Sequence, residues 1–285
     1  MNRWLRFTPT AIVLAAIAAL AFVGPIHQFA DYHSFADRRA WLGIPNAADV
    51  LSNAGFAIVG LWGLLRIGPR SDDPAIAAAW PGYRLFLVAL VLTAFGSAFY
   101  HWGPGDARLI LDRIPIALAC AGLLAGVRAD VKPESASARI AFLLALFGFA
   151  SVLWWYAGAA HGQGDLRPYL LLQVLPIVLV PLWQAIHRAP RADRVAFGVA
   201  LALYAAAKVA ELGDREVLGA LHWVSGHTLK HLLATAAAAV LVARLASRVG
   251  DERSEDAAAA EASSGVPIGD LWDLYFRFRF PANRH

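Results

Sequence analysis

Charged side chains are scarce in this chain. Only 16% of its 285 residues are Asp, Glu, Lys or Arg, whereas a typical soluble domain contains about 25%. This shortage excludes an ordinary soluble globular domain. Cysteine is scarcer still, since the one cysteine, Cys120, has no partner for an intramolecular disulfide. The composition therefore does not indicate whether the protein lies in an oxidising or a reducing compartment.

Apolar residues take the place of the missing charge. Hydrophobic side chains make up 59% of the chain, and its mean hydropathy is +0.52. A net charge of +4 and a pI near 9.5 would suggest nucleic-acid binding in a soluble protein. Here the basic residues lie in short segments between apolar runs, so the positive-inside rule explains them better. The composition predicts a multi-pass membrane protein.

Most of the apolar runs approach the ~20 residues that cross a hydrocarbon core. They cover residues 9–30, 50–68, 84–101, 107–127, 138–157, 168–186, 193–212 and 227–247. We predict an all-α integral membrane protein with a seven-transmembrane helix core at 49–247. One additional N-terminal transmembrane helix lies within 1–30, an outer loop covers 31–48, and a cytoplasmic tail covers 248–285.

The N-terminal run has two interpretations. Arg3 and Arg6 precede an apolar stretch, as in a secretory signal peptide. No clear A-x-A cleavage site follows, however, and Gly24 and Pro25 interrupt the end of the run. We expect a retained helix, with cleavage as the alternative.

The loop charges predict the orientation. Most Lys and Arg residues, among them Arg66, Arg128 and Arg244, fall on the side of both termini. This asymmetry places the termini in the cytoplasm, and we expect a bacterial inner membrane. The tail begins with an Ala-rich stretch expected to be disordered and ends in L-W-D-L-Y-F-R-F-R-F. That segment suits the inner membrane surface, and a tail without function is the alternative.

Three histidines reach the same membrane depth in this topology. His227 and His231 lie four residues apart at the start of the last helix, and therefore on one face. His101 ends the predicted helix 84–101 on the same outer side. An H-x-x-x-H pair alone is more often structural. Three converging imidazoles, in contrast, can bind zinc and leave a fourth position for water, as in catalytic sites.

Two more polar residues reach this depth. Ser97 lies four residues before His101 on the same helical face, and Asp112 lies early in the next helix. An acid within a membrane span is costly and predicts a functional role. The structural alternatives are a helix-packing serine and an ion pair of Asp112 with Arg108 or Arg113.

These residues form motifs that resemble the alkaline ceramidases, and more widely the superfamily that includes the progestin and adiponectin receptors. The motifs are S-x-x-x-H at Ser97 and His101, L-D-x-x-P at Asp112, and H-x-x-x-H at His227 and His231. Their order, helix placement and spacing match the family over the seven-helix core. The segment G-I-P-N-x-x-D-V-L-S-N, from residue 43 to 53, also resembles the entry to the first core helix of bacterial members.

The resemblance implies a zinc amidohydrolase that cleaves ceramide-like membrane lipids into a sphingoid base and a fatty acid. It implies that His101, His227 and His231 hold the zinc, while Ser97 and Asp112 act on water and substrate. The receptor branch offers an alternative, a zinc-containing lipid-binding protein without turnover. A haem protein would also use intramembrane histidines. A transporter is disfavoured, because its polar breaks are expected near mid-membrane.

A calcium site is a further implication of the resemblance, since eukaryotic members hold calcium just before the first core helix. The corresponding region here offers oxygen ligands of the right kind. They are Asp31, Asp37, Asn46 and Asp49. Their spacing differs from the family pattern, and the region has no glutamate. Loop solubility and helix capping are the alternative explanation.

Lys208 and Glu211 form a possible i,i+3 pair near the outer end of the span 193–212. We expect a structural ion pair between them. A contact with a substrate headgroup is the alternative.

Overall fold

The computed structural model describes residues 7–133 and 137–264, with side chains up to residue 249. Within these residues, seven helices are long and apolar enough to cross a membrane. The described helices are α1 (Thr8–Val23), α2 (Ala47–Leu51), α3 (Ala54–Ile67), α4 (Trp80–Trp102), α5 (Asp106–Val131), α6 (Ser137–Ala159), α7 (Arg167–Ile186), α8 (Arg191–Leu212), α9 (Asp214–Leu221) and α10 (Gly226–Ser264). The predicted all-α membrane fold is confirmed, with α2 and α3 together forming the first of the seven spans.

The additional N-terminal helix is present but shorter than predicted. Helix α1 has 16 residues, which at 1.5 Å per residue span about 24 Å, less than a hydrocarbon core of about 30 Å. It ends at Gly24, whose φ of +77° favours glycine, and Pro25 follows. Arg167 of α7 donates a hydrogen bond of 2.9 Å to the Leu20 carbonyl oxygen. Helix α1 thus packs beside α7.

The last helix is longer than predicted. Helix α10 continues to Ser264, whereas the sequence predicts its end at 247 and disorder beyond. Residues 256–262 read D-A-A-A-A-E-A, and alanine has the strongest helix propensity. The predicted aromatic segment of the tail, and Arg3 and Arg6, lie outside the described residues.

Two apolar clusters hold the helices together. One includes Phe56, Leu87 and Val242 and joins α3, α4 and α10. The other includes Trp155 and Leu172 and joins α6 and α7 to α5. The two clusters meet where α4 packs on α5. There the backbones approach so closely that a Cβ on a glycine of α4 would overlap α5.

A loop crosses one end of the bundle, which we call the histidine end because α4 finishes and α10 begins there. We call residues 31–46 the strap. Asn46 at its end donates a hydrogen bond of 2.8 Å to the His101 carbonyl oxygen. Arg39 donates bonds of 3.0 Å to the carbonyl oxygens of His222 and Trp223, between α9 and α10. The strap therefore ties together the ends of the helices that carry the candidate site.

Candidate metal centre

The three predicted ligands converge. His101 lies in the last turn of α4, and His227 and His231 lie in the first turns of α10. Their side chains are buried, and one ligand atom from each lies within 4.8 Å of the others. This is the only such group of His, Cys, Asp or Glu side chains that the described part of the chain contains. The three histidines could hold one metal ion.

The distance between two of the ligand nitrogens fits a tetrahedral ion. The Nε2 atoms of His101 and His227 lie 3.3 Å apart. Two nitrogens bound to zinc at about 2.0–2.1 Å, with a tetrahedral angle between them, would be separated by roughly 3.3–3.4 Å. The other ring nitrogen of His101, Nδ1, is buried without a hydrogen-bond partner among the described residues. Only one of the two ring nitrogens of His101 therefore has a polar neighbour among the described residues.

His231 is oriented by Ser52, which lies in the segment 43–53 but for which the sequence predicts no role at the site. Its Nδ1 lies 2.8 Å from the Ser52 hydroxyl, which also donates to the Asp49 carbonyl oxygen. Metal-bound histidines usually hold their second nitrogen in a hydrogen bond of this kind, which fixes the tautomer and the ring plane. Ser52 leaves Nε2 of His231 as the nitrogen available to a metal.

Two glycines next to the site allow close contacts of α10 with α8 and of α4 with α5. A Cβ on Gly226, the first residue of α10, would lie 2.0 Å from the Ala210 carbonyl oxygen of α8. A Cβ on Gly96 of α4 would lie 1.9 Å from the Leu111 carbonyl oxygen of α5. Neither contact admits a larger residue. Each glycine directly precedes a predicted site residue, His227 in one case and Ser97 in the other.

Ser97 and Asp112 meet at the second of these contacts. Both side chains are buried, and the Ser97 hydroxyl is close enough to the Asp112 carboxyl to interact with it. Ser97 lies one helical turn from His101. The Oδ1 atom of Asp112 has no hydrogen-bond partner among the described residues. A buried carboxylate oxygen with a free lone pair is suited to accept a proton.

The predicted ion-pair alternatives for Asp112 involve arginines that point elsewhere. The Arg113 guanidinium lies 4.0 Å from the centroid of the Trp155 ring and donates a bond of 2.7 Å to Gln28. The Arg108 guanidinium lies 4.6 Å from the centroid of the Phe99 ring. These cation–π contacts hold Arg113 against a buried ring and Arg108 against an exposed one.

The residues of the calcium prediction are not brought together as a cluster. Asp37 forms a salt bridge of 2.6 Å with Arg39, whose hydrogen bonds hold the pKa of this carboxyl below its ordinary value despite the opposing effect of burial. Asp49 accepts a bond of 2.6 Å from Thr228 and thereby anchors the start of α10. Asn46 binds the end of α4, and Asp31 lies in a turn at the start of the strap. The calcium site stays a prediction.

The predicted ion pair between Lys208 and Glu211 is present and is part of a larger group. Lys230, one residue before His231, also contacts Glu211, with its Nζ 2.7 Å from Oε1. The same Nζ lies 3.3 Å from Nε2 of His227. The sequence places Lys230 only among the outer basic residues, although its position between the two histidines of α10 is a signal for a role at the site.

The strap covers the histidines with an aromatic ring. The buried Phe35 ring lies 4.7 Å from the His101 ring and 4.5 Å from the His227 ring, centroid to centroid. Asp214 fixes this arrangement because its two carboxylate oxygens accept from the backbone N–H groups of Ala36 and His227, each at 2.8 Å. Neither Phe35 nor Asp214 belongs to a motif that sequence reasoning could have recognised.

Comparison with known proteins adds no relative. No family model matches the chain, and no curated protein or solved structure matches it either. The resemblance to the alkaline ceramidases therefore stays a prediction from motifs, and the function must be argued from the geometry of the site.

Proposed function

We propose that the protein is a membrane-embedded, zinc-dependent amidohydrolase that cleaves the amide bond of ceramide-like lipids. The observation that carries the proposal is a buried group of three histidines at the same end of the bundle as a buried carboxylate with an unpartnered oxygen, Asp112. A metal site and a proton acceptor are the two components that metal-assisted hydrolysis requires. The motif resemblance supports the same reaction.

His101, His227 and His231 would hold the ion. A bound zinc ion would supply Lewis-acid activation of water and of the amide carbonyl. The choice of zinc over other metals rests on three nitrogen ligands and on the tetrahedral spacing of two of them, 3.3 Å apart. Ser52 and Phe35 would hold the imidazole rings in place.

Asp112 would move the protons. Its free Oδ1 accepts a proton from the attacking water and returns it to the nitrogen of the leaving amine as the carbon–nitrogen bond breaks. Ser97, one turn from His101, would donate a hydrogen bond to the oxyanion of the substrate. One such donor is typically worth about 3 kcal/mol in the transition state.

The position of the site suits a lipid. The residues lie at the ends of apolar helices, where the polar linkage of a membrane lipid sits between headgroup and acyl chains. On α4, Phe95 and Phe99 are exposed within two turns of His101. Such exposed apolar side chains on a transmembrane helix face lipid, so acyl chains and site are side by side.

The test is turnover by the purified protein, followed by mass spectrometry of the products from ceramides and other N-acyl lipids. Asp112→Asn keeps the size of the side chain but cannot accept the proton, so we expect a rate loss of about 10²- to 10⁴-fold. Zinc content should stay at the wild-type level, because Asp112 is not one of the three ligands. Equal turnover by the two proteins would remove Asp112 from the reaction.

A zinc-containing lipid-binding protein without turnover is the second candidate. The specific observation in its favour is Phe35, whose ring packs against His101 and His227 and closes this face of the site. Absence of product from every lipid amide, together with stoichiometric zinc and saturable lipid binding, would favour this second function over hydrolysis.

A further inference from the structure

Lys230 has a position that the proposed reaction does not yet use. It lies on α10 between the two histidines of the H-x-x-x-H motif. Its Nζ lies 2.7 Å from Oε1 of Glu211 and 3.3 Å from Nε2 of His227. The second contact matters because the same nitrogen of His227 faces His101. Lys230 thus places an ammonium group at the edge of the metal centre.

The charges around Lys230 do not balance. Glu211 is shared between Lys208 and Lys230, so one carboxylate serves two ammonium groups. A divalent ion at the histidines would add two further positive charges. Asp112 and Asp49 are further acids close enough to interact with Lys230, and these three carboxylates still leave one positive charge without a counter-charge. Because uncompensated charge is costly in a low-dielectric environment, this corner of the site favours an anion.

Metal binding would also free a donor on Lys230. An ammonium has three N–H groups and no acceptor, and here one of them points at the lone pair of His227 Nε2. When that lone pair binds a cation, it is no longer available to Lys230. One N–H group of Lys230 is then left to donate to a ligand, while Glu211 keeps the side chain in place.

Apolar residues near Glu211 suit an anion that carries an apolar chain. Val209 and Leu212 on α8 stand on either side of Glu211 in the sequence, and both are largely exposed, at 70% and 83%. Within a transmembrane helix such residues face lipid. A small inorganic anion would have no use for them, whereas a long-chain carboxylate could place its hydrocarbon chain beside them.

We propose that Lys230 is an anion-recognition residue that, next to the metal centre, binds the carboxylate of a long-chain fatty acid. This inference rests on the proposed function, in which the acyl half of the lipid amide leaves as a fatty acid. The neutral amide of the substrate gains little from the ammonium, whereas the anionic product gains a charge-assisted hydrogen bond. Lys230 therefore favours the acid over the amide.

The test measures binding of palmitate and of its neutral analogue hexadecanamide to the cobalt(II)-substituted protein. The visible spectrum of the metal and isothermal titration calorimetry give independent values of Kd. Lys230→Gln keeps a hydrogen bond to Glu211 but removes the charge, and we expect palmitate affinity to fall about 10- to 100-fold. Hexadecanamide affinity and metal content should change little.

Lys208→Gln is the matched control. Lys208 pairs with the same Glu211, but its side chain is half exposed and makes no described contact with His227. We expect wild-type palmitate affinity in this variant. Equal weakening by both substitutions would show a general charge effect and overturn the proposal, and so would unchanged palmitate affinity in Lys230→Gln. Lys230→Arg, which keeps the charge, should retain most of the affinity and covers the case in which Lys230→Gln fails to fold.

The outcomes separate this inference from the proposed function. If no lipid amide is hydrolysed but palmitate affinity depends on Lys230, the carboxylate site stands and the reaction fails. If lipid amides are hydrolysed and palmitate affinity is indifferent to Lys230, the reaction stands and the inference fails.

Discussion

The two ends of the helical bundle differ in how completely their buried polar groups are paired. At the end away from the histidines, Asp130 of α5 accepts two bonds from Arg248 of α10, at 2.7 and 2.9 Å, and a third from the Tyr83 hydroxyl of α4. Asp193 of α8 accepts a bond of 2.7 Å from Arg244. At the histidine end, buried polar atoms lack partners.

Several unpartnered atoms of the histidine end belong to residues of the candidate metal centre or to their neighbours. They include Nδ1 of His101 and the Oδ1 atom of Asp112, with Oδ2 of Asp49 and Oδ1 of Asn53 close by in the chain segment that orients His231. Native proteins satisfy the great majority of buried polar groups, and each orphan costs about 1–3 kcal/mol. The difference supports the proposal of a ligand site at the histidine end and a structural role for the paired end.

The largest effect should follow from removing a histidine. His231→Ala leaves two ligands. We therefore expect the zinc content of the purified protein, measured by metal analysis, to fall from about one ion per chain to a small fraction of that. His33→Ala is the matched control. His33 also lies at this end, but its ring nitrogens contact Tyr100 and Asp106 rather than the three candidate ligands.

Ser52→Ala refines this first prediction. It removes the hydroxyl next to His231 but no ligand, and the loss of an orienting partner typically costs 10- to 100-fold in metal affinity. We therefore expect weaker binding but full occupancy in excess zinc. Stoichiometric zinc in a variant with all three histidines replaced by alanine would contradict the metal site altogether.

A smaller effect should follow at the paired end. Arg248→Met removes the guanidinium that bonds Asp130 and the Ala75 carbonyl oxygen. It leaves a half-buried carboxylate without its cation, so we expect a loss of about 1–3 kcal/mol in stability, seen as a lower thermal midpoint in detergent. Zinc content and turnover should be unchanged. A loss of zinc with an intact fold would show that the two ends are coupled and would break the comparison.

The sequence predicts the histidine end well where its residues follow helical spacing. His227 and His231 share a face because they lie four residues apart, and Ser97 and His101 do so for the same reason. Topology then brings the two pairs to one depth, because α4 and α10 run in opposite directions. Such local rules do not depend on knowing which helices touch.

The supporting contacts could not be predicted, because they join residues far apart in the chain. Ser52 and His231 are separated by 179 positions, and so are Asp49 and Thr228. Asp49 could equally be a calcium ligand or a helix anchor until its partner is known. Phe35 carries no spacing signal at all. Its position depends on how the strap crosses the bundle.

The smallest effect concerns the strap, which belongs to the histidine end but is held by a paired acid. Arg39 donates hydrogen bonds to Asp37 and keeps the pKa of that carboxyl low. A carboxyl whose pKa is lower in the folded state contributes stability above its unfolded pKa, near 3.9, and loses it as the pH falls through the folded value. Because Arg39 is exposed to solvent, water and salt screen the pair, and we expect its contribution to stability to be small.

Asp37→Asn should therefore lower the thermal midpoint slightly at pH 6, and the difference from wild type should be smaller at pH 3, which lies below the unfolded pKa of about 3.9. Comparing the two proteins at each pH cancels the titration of every other group. Asp31→Asn is the matched control in the same loop, because Asp31 makes no described side-chain bond to an arginine, and its difference from wild type should be close to zero at both values. A destabilisation by Asp37→Asn that persists unchanged at pH 3 would show that the carboxylate charge is not what holds the strap. The shape of the side chain, rather than its charge, would then hold the strap in place.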